Sequence, residues 1–329
     1  MSNSAEVEIM PADPLQYEVP LPMSVVVHPI GYPVRIETNS MDVVRAADEA
    51  WGLFPCLRQT PPVQVRFIVA EPSRPAERIP PHFRGQGHLI AYTMGPDDYA
   101  VADLAAGFVF GWLTPATVAD RSWFRYHILE PLVYKALLCL YCFPVHAAAV
   151  AREGRALLLC GNSGSGKTCF AYACARRGWT YLSDDATVIH RDRADLVATG
   201  RPHQVRFRSS ATSLFPELEQ FPAVERPNGK PDIEVDSAAL GLSIALEAPV
   251  AGLVFLKREK LRSPASLHPY PQSDALDYLE QIICFGDDRV RRAMRDCAGR
   301  LAETAAVELR YAVFDDAEER LRVYMDGSL

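Results

Sequence analysis

Apolar and polar positions alternate in short runs over the first third of the chain. Residues 24–27 and 34–37 are β-rich and are split by Gly31-Tyr32-Pro33, which reads as a turn. Asn39, with Asp42 three residues on, then caps an apolar stripe at helical spacing over residues 41–51. Residues 63–70 alternate as a strand, whereas proline and arginine crowd residues 71–84 and predict a surface loop. Three further short strands follow at 88–94, 99–104 and 108–112. Residues 121–142 are apolar along one side and lack glycine, so they predict a long helix interrupted by Pro131. Behind a loose N-terminal tail, these elements describe a smaller α+β domain over residues 1–144.

The pattern changes after Pro144. Residues 146–150 and 156–160 are apolar strands around a turn at Glu153-Gly154, followed by a helix at 168–177 and a strand at 179–183. Further strands are predicted at 187–190, 205–208, 233–235, 250–256 and 307–314. Helices are predicted at 273–284 and 287–303, with a closing one at 315–324. Asp315, Asp316, Glu318 and Glu319 suit the positive end of that last helix. The second domain, residues 145–329, is therefore read as mixed α/β around a twisted sheet.

Composition narrows the function. The chain has 329 residues, 49% hydrophobic and 23% charged, as a globular protein has. Its formal net charge of −7 argues against a nucleic-acid partner, which calls for a basic face. Eight scattered cysteines fit no disulfide framework and predict reduced thiols and a cytoplasmic protein. The most apolar run, residues 136–151, is too short to span a bilayer and contains Pro144 and His146, so no membrane partner is expected. The start has neither a basic n-region nor an apolar h-region.

The informative chemistry lies in Gly161-Asn162-Ser163-Gly164-Ser165-Gly166-Lys167-Thr168. A phosphate cradle needs a strand to fix the loop, glycines that let backbone N–H groups converge, and a helix N-terminus facing the anion. Residues 156–160 supply the strand, Gly161, Gly164 and Gly166 the loop, and Thr168 opens the helix. Lys167 is expected to reach the β- and γ-phosphates of ATP, and the Thr168 hydroxyl to ligate magnesium. Asp184-Asp185 follows only seventeen residues after Lys167, at the end of the next strand. If that strand runs parallel to the P-loop strand, both carboxylates arrive beside the phosphates. One can then hold the metal while the other accepts a proton.

The run His146…Gly161-Asn162-Ser163-Gly164-Ser165-Gly166-Lys167-Thr168…Arg177-Gly178-Trp179…Asp184-Asp185 resembles the catalytic domain of HPr kinase/phosphorylase. It is closer to the HPr-kinase-related proteins of peptide-modification gene clusters, including the kinases of lasso-peptide precursors. The resemblance implies an α/β fold of the P-loop type shared with phosphoenolpyruvate carboxykinase. It also implies ATP and Mg2+ as cofactors, a serine of a protein or peptide as acceptor, and an oligomer. It makes Asp184 the catalytic base, Asp185 its neighbour at the metal, and His146 a residue that tunes the base. Two departures stand out. Cys169 occupies the position where the bifunctional enzymes carry glutamate, and their Leu-Glu-Ile-Arg-Gly-Leu-Gly segment is missing, so the resemblance leaves phosphorylase activity and HPr as acceptor open.

Other residues divide between chemistry and packing. Cys139-x-x-Cys142 has no second pair at zinc spacing and lies among Leu137, Leu138, Leu140 and Phe143, so it reads as buried thiols. Cys169 and Cys174 on the P-loop helix also read as packing. Arg206, Arg208 and Lys230 are candidate cations for phosphate or substrate. A small-molecule kinase, or a nucleotide-binding regulatory protein with little turnover, would use the same residues.

Overall fold

The structure is a computed structural model that describes residues 18–72, 79, 81–191, 193–225, 231–259 and 263–327. The first seven strands join in one mixed sheet. At its centre Val34–Thr38, Val63–Val69 and Phe108–Leu113 run parallel, and antiparallel strands flank them on both sides. Alternation along Val63–Val69 works as expected: Val63, Val65 and Phe67 are buried while Arg66 faces solvent. The helix Met41–Trp51 lays Val43, Ala46, Ala47, Ala50 and Trp51 against this sheet. Its N-cap is Ser40 rather than Asn39. Asn39 instead bridges to the neighbouring strand, donating to Val69 O and accepting from Val69 N, both at 2.8 Å.

Two expectations about this half are corrected. The end of the proline-rich stretch, expected as loop, contains the edge strand His82–Gln86, paired antiparallel to Leu89–Thr93. Every residue of it is exposed, so it carries no apolar alternation for a sequence to show. The long helix is also three pieces: α-helical Arg121–Phe124, a π-helical turn Arg125–Leu129, and α-helical Glu130–Leu140. Pro131 directly follows the π turn, within a continuous helical backbone, and the Glu130 N–H reaches back five residues to Arg125 O. The helix ends before Cys142, which opens the strand Cys142–Val145 of the second sheet.

That second sheet has nine strands. Its path runs Thr180–Ser183, Ala147–Arg152, Arg155–Cys160, Glu247–Arg258, Val197–Thr199, Thr187–His190 and Cys142–Val145. Ala305–Tyr311 and then Ser266–Pro269 branch from Glu247–Arg258. The P-loop strand Arg155–Cys160 is buried on both faces. Ala156, Leu158 and Cys160 enter a core shared with the first half, whereas Leu157 and Leu159 enter a second core around the P-loop helix. Each fully buried leucine contributes about 2 kcal/mol, so the strand is anchored before any ligand arrives. A small three-stranded sheet, Gln204–Arg208, Pro231–Asp236 and Ala223–Glu225, completes the mixed α/β architecture. Among the described residues no helix is long and apolar enough to cross a membrane.

Candidate functional site

The loop leaving Cys160 takes a course that glycine makes possible. Gly161, Gly164 and Gly166 adopt φ of +146°, +86° and +93°. A Cβ on Gly161 would lie 2.7 Å from Ser165 Oγ, while one on Gly164 would meet nothing within 4 Å. The loop is thus closed on its inner side and open at Gly164. Gly166 caps the helix Lys167–Arg176, whose first N–H groups point into the same space. Ser165 Oγ is buried and has no hydrogen-bond partner among the described residues. An orphaned hydroxyl beside converging N–H groups fits an anion.

Lys167 is almost fully buried, and its ammonium is held by this loop. Nζ lies 2.9 Å from Gly161 O, 3.4 Å from Asn162 O and 2.9 Å from His146 Nε2. Because the ammonium donates, His146 Nε2 accepts and its proton sits on Nδ1. Asp185 Oδ1 is 3.6 Å from Nζ and 3.4 Å from His146 Nε2. Burial pulls the Lys167 pKa down and Asp185 opposes it. Tyr278, on the helix Gln272–Glu280, locks the loop from behind. Its hydroxyl donates to His146 O at 2.6 Å and accepts from Gly161 N at 3.1 Å. Nothing in the pattern around Tyr278 marks it, because the contact spans more than a hundred residues.

The strand Thr180–Ser183 brings in the aspartates. It and the P-loop strand are each antiparallel to Ala147–Arg152, so they run in the same direction and deliver their C-terminal ends to one edge. The approach is set by a helix stop. Gly178 at φ +91° ends the P-loop helix, its N–H reaching Ala175 O and that of Trp179 reaching Cys174 O. Arg177 and Trp179 then anchor on buried Glu318 of the last helix, Nε1 of Trp179 lying 2.8 Å from Oε1. Arg-Gly after the P-loop helix is thus a stop followed by an anchor.

Asp184 and Asp185 occupy different surroundings. Thr168 Oγ1 donates to the Asp184 carbonyl at 3.2 Å, and the Arg206 N–H donates to Asp184 Oδ2 at 2.9 Å. Burial pushes the Asp184 carboxyl above the usual range, against the pull of the Arg206 charge and N–H. Asp185 is exposed and looks into the open cavity beside His146 and Lys167. That cavity, of about 540 Å³, lies over the loop. Five cations line it (Lys167, Arg201, Arg206, Arg208 and Arg258) against three carboxylates (Asp184, Asp185 and Asp232). A cationic excess inside a protein of net charge −7 suits a polyanion.

The expected residues are therefore brought together, with qualifications. Arg206 reaches Asp184 through its backbone, while its guanidinium leans on Glu234 at 3.5 Å. Arg208 is exposed at the cavity rim. Lys230 lies outside the described residues. Cys139, Cys142 and Cys174 are buried free thiols, and burial raises Cys169 above the usual thiol range. Arg201 was not singled out from the sequence, yet it lines the cavity. A second cavity of about 610 Å³ adjoins the first, sharing Tyr126, Gln204 and Arg206, and is walled by Glu49, Arg121 and Arg125 of the first half.

Among the described residues no three His, Cys, Asp or Glu side chains could hold a metal together. Magnesium needs no such cage. It keeps several waters and takes one or two protein oxygens, which the Thr168 hydroxyl and the aspartates offer.

Comparison with known proteins adds two likenesses. Residues 112–216 match the family described as SynChlorMet cassette protein ScmC, about a third of the chain. The matched block runs from the end of the first sheet through the glycine loop, Asp184-Asp185 and Arg208 to Pro216. A solved structure, the Hpr(Ser) kinase/phosphatase from Coxiella burnetii, is similar over 56% of this chain and 97% of its own, at 13% identity and a TM-score of 0.30. A likeness of that score is too weak to carry fold or activity. No curated protein matches the sequence.

Proposed function

We propose that the protein is an ATP- and magnesium-dependent kinase that transfers the γ-phosphoryl group to a hydroxyl, with a serine of a protein or peptide as acceptor. One observation carries the reading. A glycine-built phosphate loop with a buried lysine opens into the same cavity as two aspartates in unlike surroundings. A loop alone would serve any nucleotide binder. A carboxyl raised by burial and aimed by a backbone N–H is what a general base requires.

The residues divide the work. Backbone N–H groups of residues 164–168 and the Lys167 ammonium hold the phosphates, Lys167 leaving its carbonyl partners for the anion. Asp184 accepts the proton of the attacking hydroxyl. Magnesium, when bound through Thr168 and Asp185, neutralises charge on the phosphate oxygens. His146 accepts from the Lys167 ammonium and so fixes its direction, while Lys167 itself faces Asp185. The adjoining cavity, with walls from both halves, admits the acceptor past Tyr126. The protein-or-peptide acceptor rests on the sequence resemblance.

Incubation with γ-labelled ATP and magnesium, across a panel of serine-containing peptides, HPr and sugars, tests this. Label is expected on a peptide or protein serine and absent with Lys167→Ala, whose ATP affinity should fall roughly thirtyfold or more. Label on a sugar would make it a small-molecule kinase. ATP affinity unchanged by Lys167→Ala would end the nucleotide reading.

A further inference from the structure

The chain of charges behind Asp184 crosses from one half of the molecule to the other. Arg201 lines the phosphate cavity, and its Nη2 donates to Glu130 Oε2 at 3.1 Å. Glu130 opens the helix Glu130–Leu140, directly after the π turn. The extra residue of that turn brings positions five apart onto one face. Arg125 therefore reaches Glu130 through both Nε (3.1 Å) and Nη2 (3.0 Å). Arg125 in turn lies 3.8 Å from Glu49, on the wall of the second cavity.

Arg201 is placed with unusual care for a loop residue. A Cβ on the preceding Gly200 would stand 2.1 Å from Leu182 O and 2.6 Å from Ser183 Cβ. Only glycine lets the backbone press so closely against the strand that ends at Asp184. The guanidinium stacks over the Tyr134 ring, 5.4 Å from its centroid. Burial works against the Arg201 charge, but Tyr134, Glu130 and Asp184 outweigh it and hold the group above the usual arginine range. Burial likewise works to raise Glu130, and Arg201 with Arg125 keeps it low. Both stay charged, and among the described residues Glu130 is the hydrogen-bond partner of the Arg201 side chain. A guanidinium has five N–H donors, so one edge is fixed by Glu130 while donors remain for the cavity.

We infer that Arg201 is a cation for the terminal phosphate of the nucleotide and that Glu130 is its positioning residue. The first half thereby reaches the chemistry through an ion pair and does more than receive the acceptor. A plain structural salt bridge would not need a cavity-lining arginine, a glycine pressed on the catalytic strand, and a carboxylate already paired to Arg125. The inference rests on the nucleotide reading above and adds a preference for triphosphate over diphosphate.

Calorimetry with magnesium-ATP and magnesium-ADP, together with thermal melts, tests it on the full chain. Wild type should bind ATP more tightly than ADP. Arg201→Gln should lower ATP affinity roughly ten- to a hundredfold, the worth of a charge-assisted hydrogen bond, and ADP affinity much less. Glu130→Gln should shrink the same ATP-to-ADP ratio by a smaller factor, and Arg201→Lys should restore part of it. A ratio unchanged in Arg201→Gln overturns the assignment. If that variant loses its fold, Glu130→Gln decides alone: a reduced ratio supports the assignment and an unchanged one overturns it. Failure of the wild type to bind ATP would instead remove the nucleotide reading beneath it.

Discussion

The segment from Arg155 to Asp185 and the segment from Pro115 to Leu140 both border the phosphate cavity, but they are built on opposite plans. In the first, strand, loop, helix and second strand follow one another without a break, so the glycine loop, Lys167, Thr168 and both aspartates come from about thirty consecutive residues. In the second, Tyr126 of the π turn lines the cavity, and Glu130 just after it is met by Arg201 from far along the chain. Chemistry fixed by local geometry is robust to changes elsewhere. Chemistry fixed by convergence depends on the packing of both halves, and this is where the two segments should respond differently to mutation.

The largest contrast lies in Asp184→Asn. The amide keeps an oxygen for the Arg206 N–H but loses its basicity, so turnover should fall about a hundred- to ten-thousand-fold while ATP still binds. Steady-state kinetics beside calorimetry reads both quantities, and unchanged turnover would remove Asp184 from the chemistry. The same residue sets the pH response. Its carboxyl is raised, so the base forms only as pH climbs through that raised value, and the acid limb of kcat/KM, which reports the free enzyme, should lie above the ordinary aspartate range. Stability carries the opposite sign. A carboxyl whose folded pKa exceeds its unfolded one contributes stability below the unfolded value and loses it as pH rises through the folded one. Asp184→Asn should therefore melt higher than wild type at neutral pH, and a lower melting temperature would contradict the burial argument.

Of intermediate size is Glu318→Ala, which strands the Trp179 N–H and releases Arg177. It should cost about 2 kcal/mol in urea unfolding. A cost near zero would show that the anchor beneath Asp184 is dispensable. The smallest effect is expected from Arg125→Gln on the convergent side. That pair is mostly buried, but Glu130 keeps Arg201 as a second partner, so its removal should cost about 1 kcal/mol of stability. A loss as large as that from Glu318→Ala would mean that the π turn is held chiefly by this pair.

The same contrast explains how much could be read from the sequence. The P-loop, its strand and helix, and the arrival of Asp184-Asp185 at one sheet edge were legible because periodicity and glycine placement are local. Most strands of the first sheet were legible for the same reason. His82–Gln86 was not, since an edge strand exposed on both faces leaves no apolar trace. The helix break was expected at Pro131, but a π turn has no residue signature. Cys142–Val145 was hidden in an apolar run that suits helix and buried strand alike. Arg201, Glu130 and Tyr278 act through contacts spanning scores of residues, and only Gly200, a glycine with no turn to make, hinted at a close approach.

The anchoring of Arg177 and Trp179 on Glu318 also orders events in time. As the chain is synthesised, the phosphate loop and both aspartates leave the ribosome long before the last helix, Phe314–Gly327, and the neighbouring strand Ala305–Tyr311 exist. At ordinary elongation rates the wait is on the order of ten seconds. Throughout it, the Trp179 indole and the turn that aims Asp184 lack the carboxylate they end on. A nascent chain therefore carries the glycine loop and both aspartates before the anchor beneath Asp184 exists, and that anchor arrives only with the helix Phe314–Gly327.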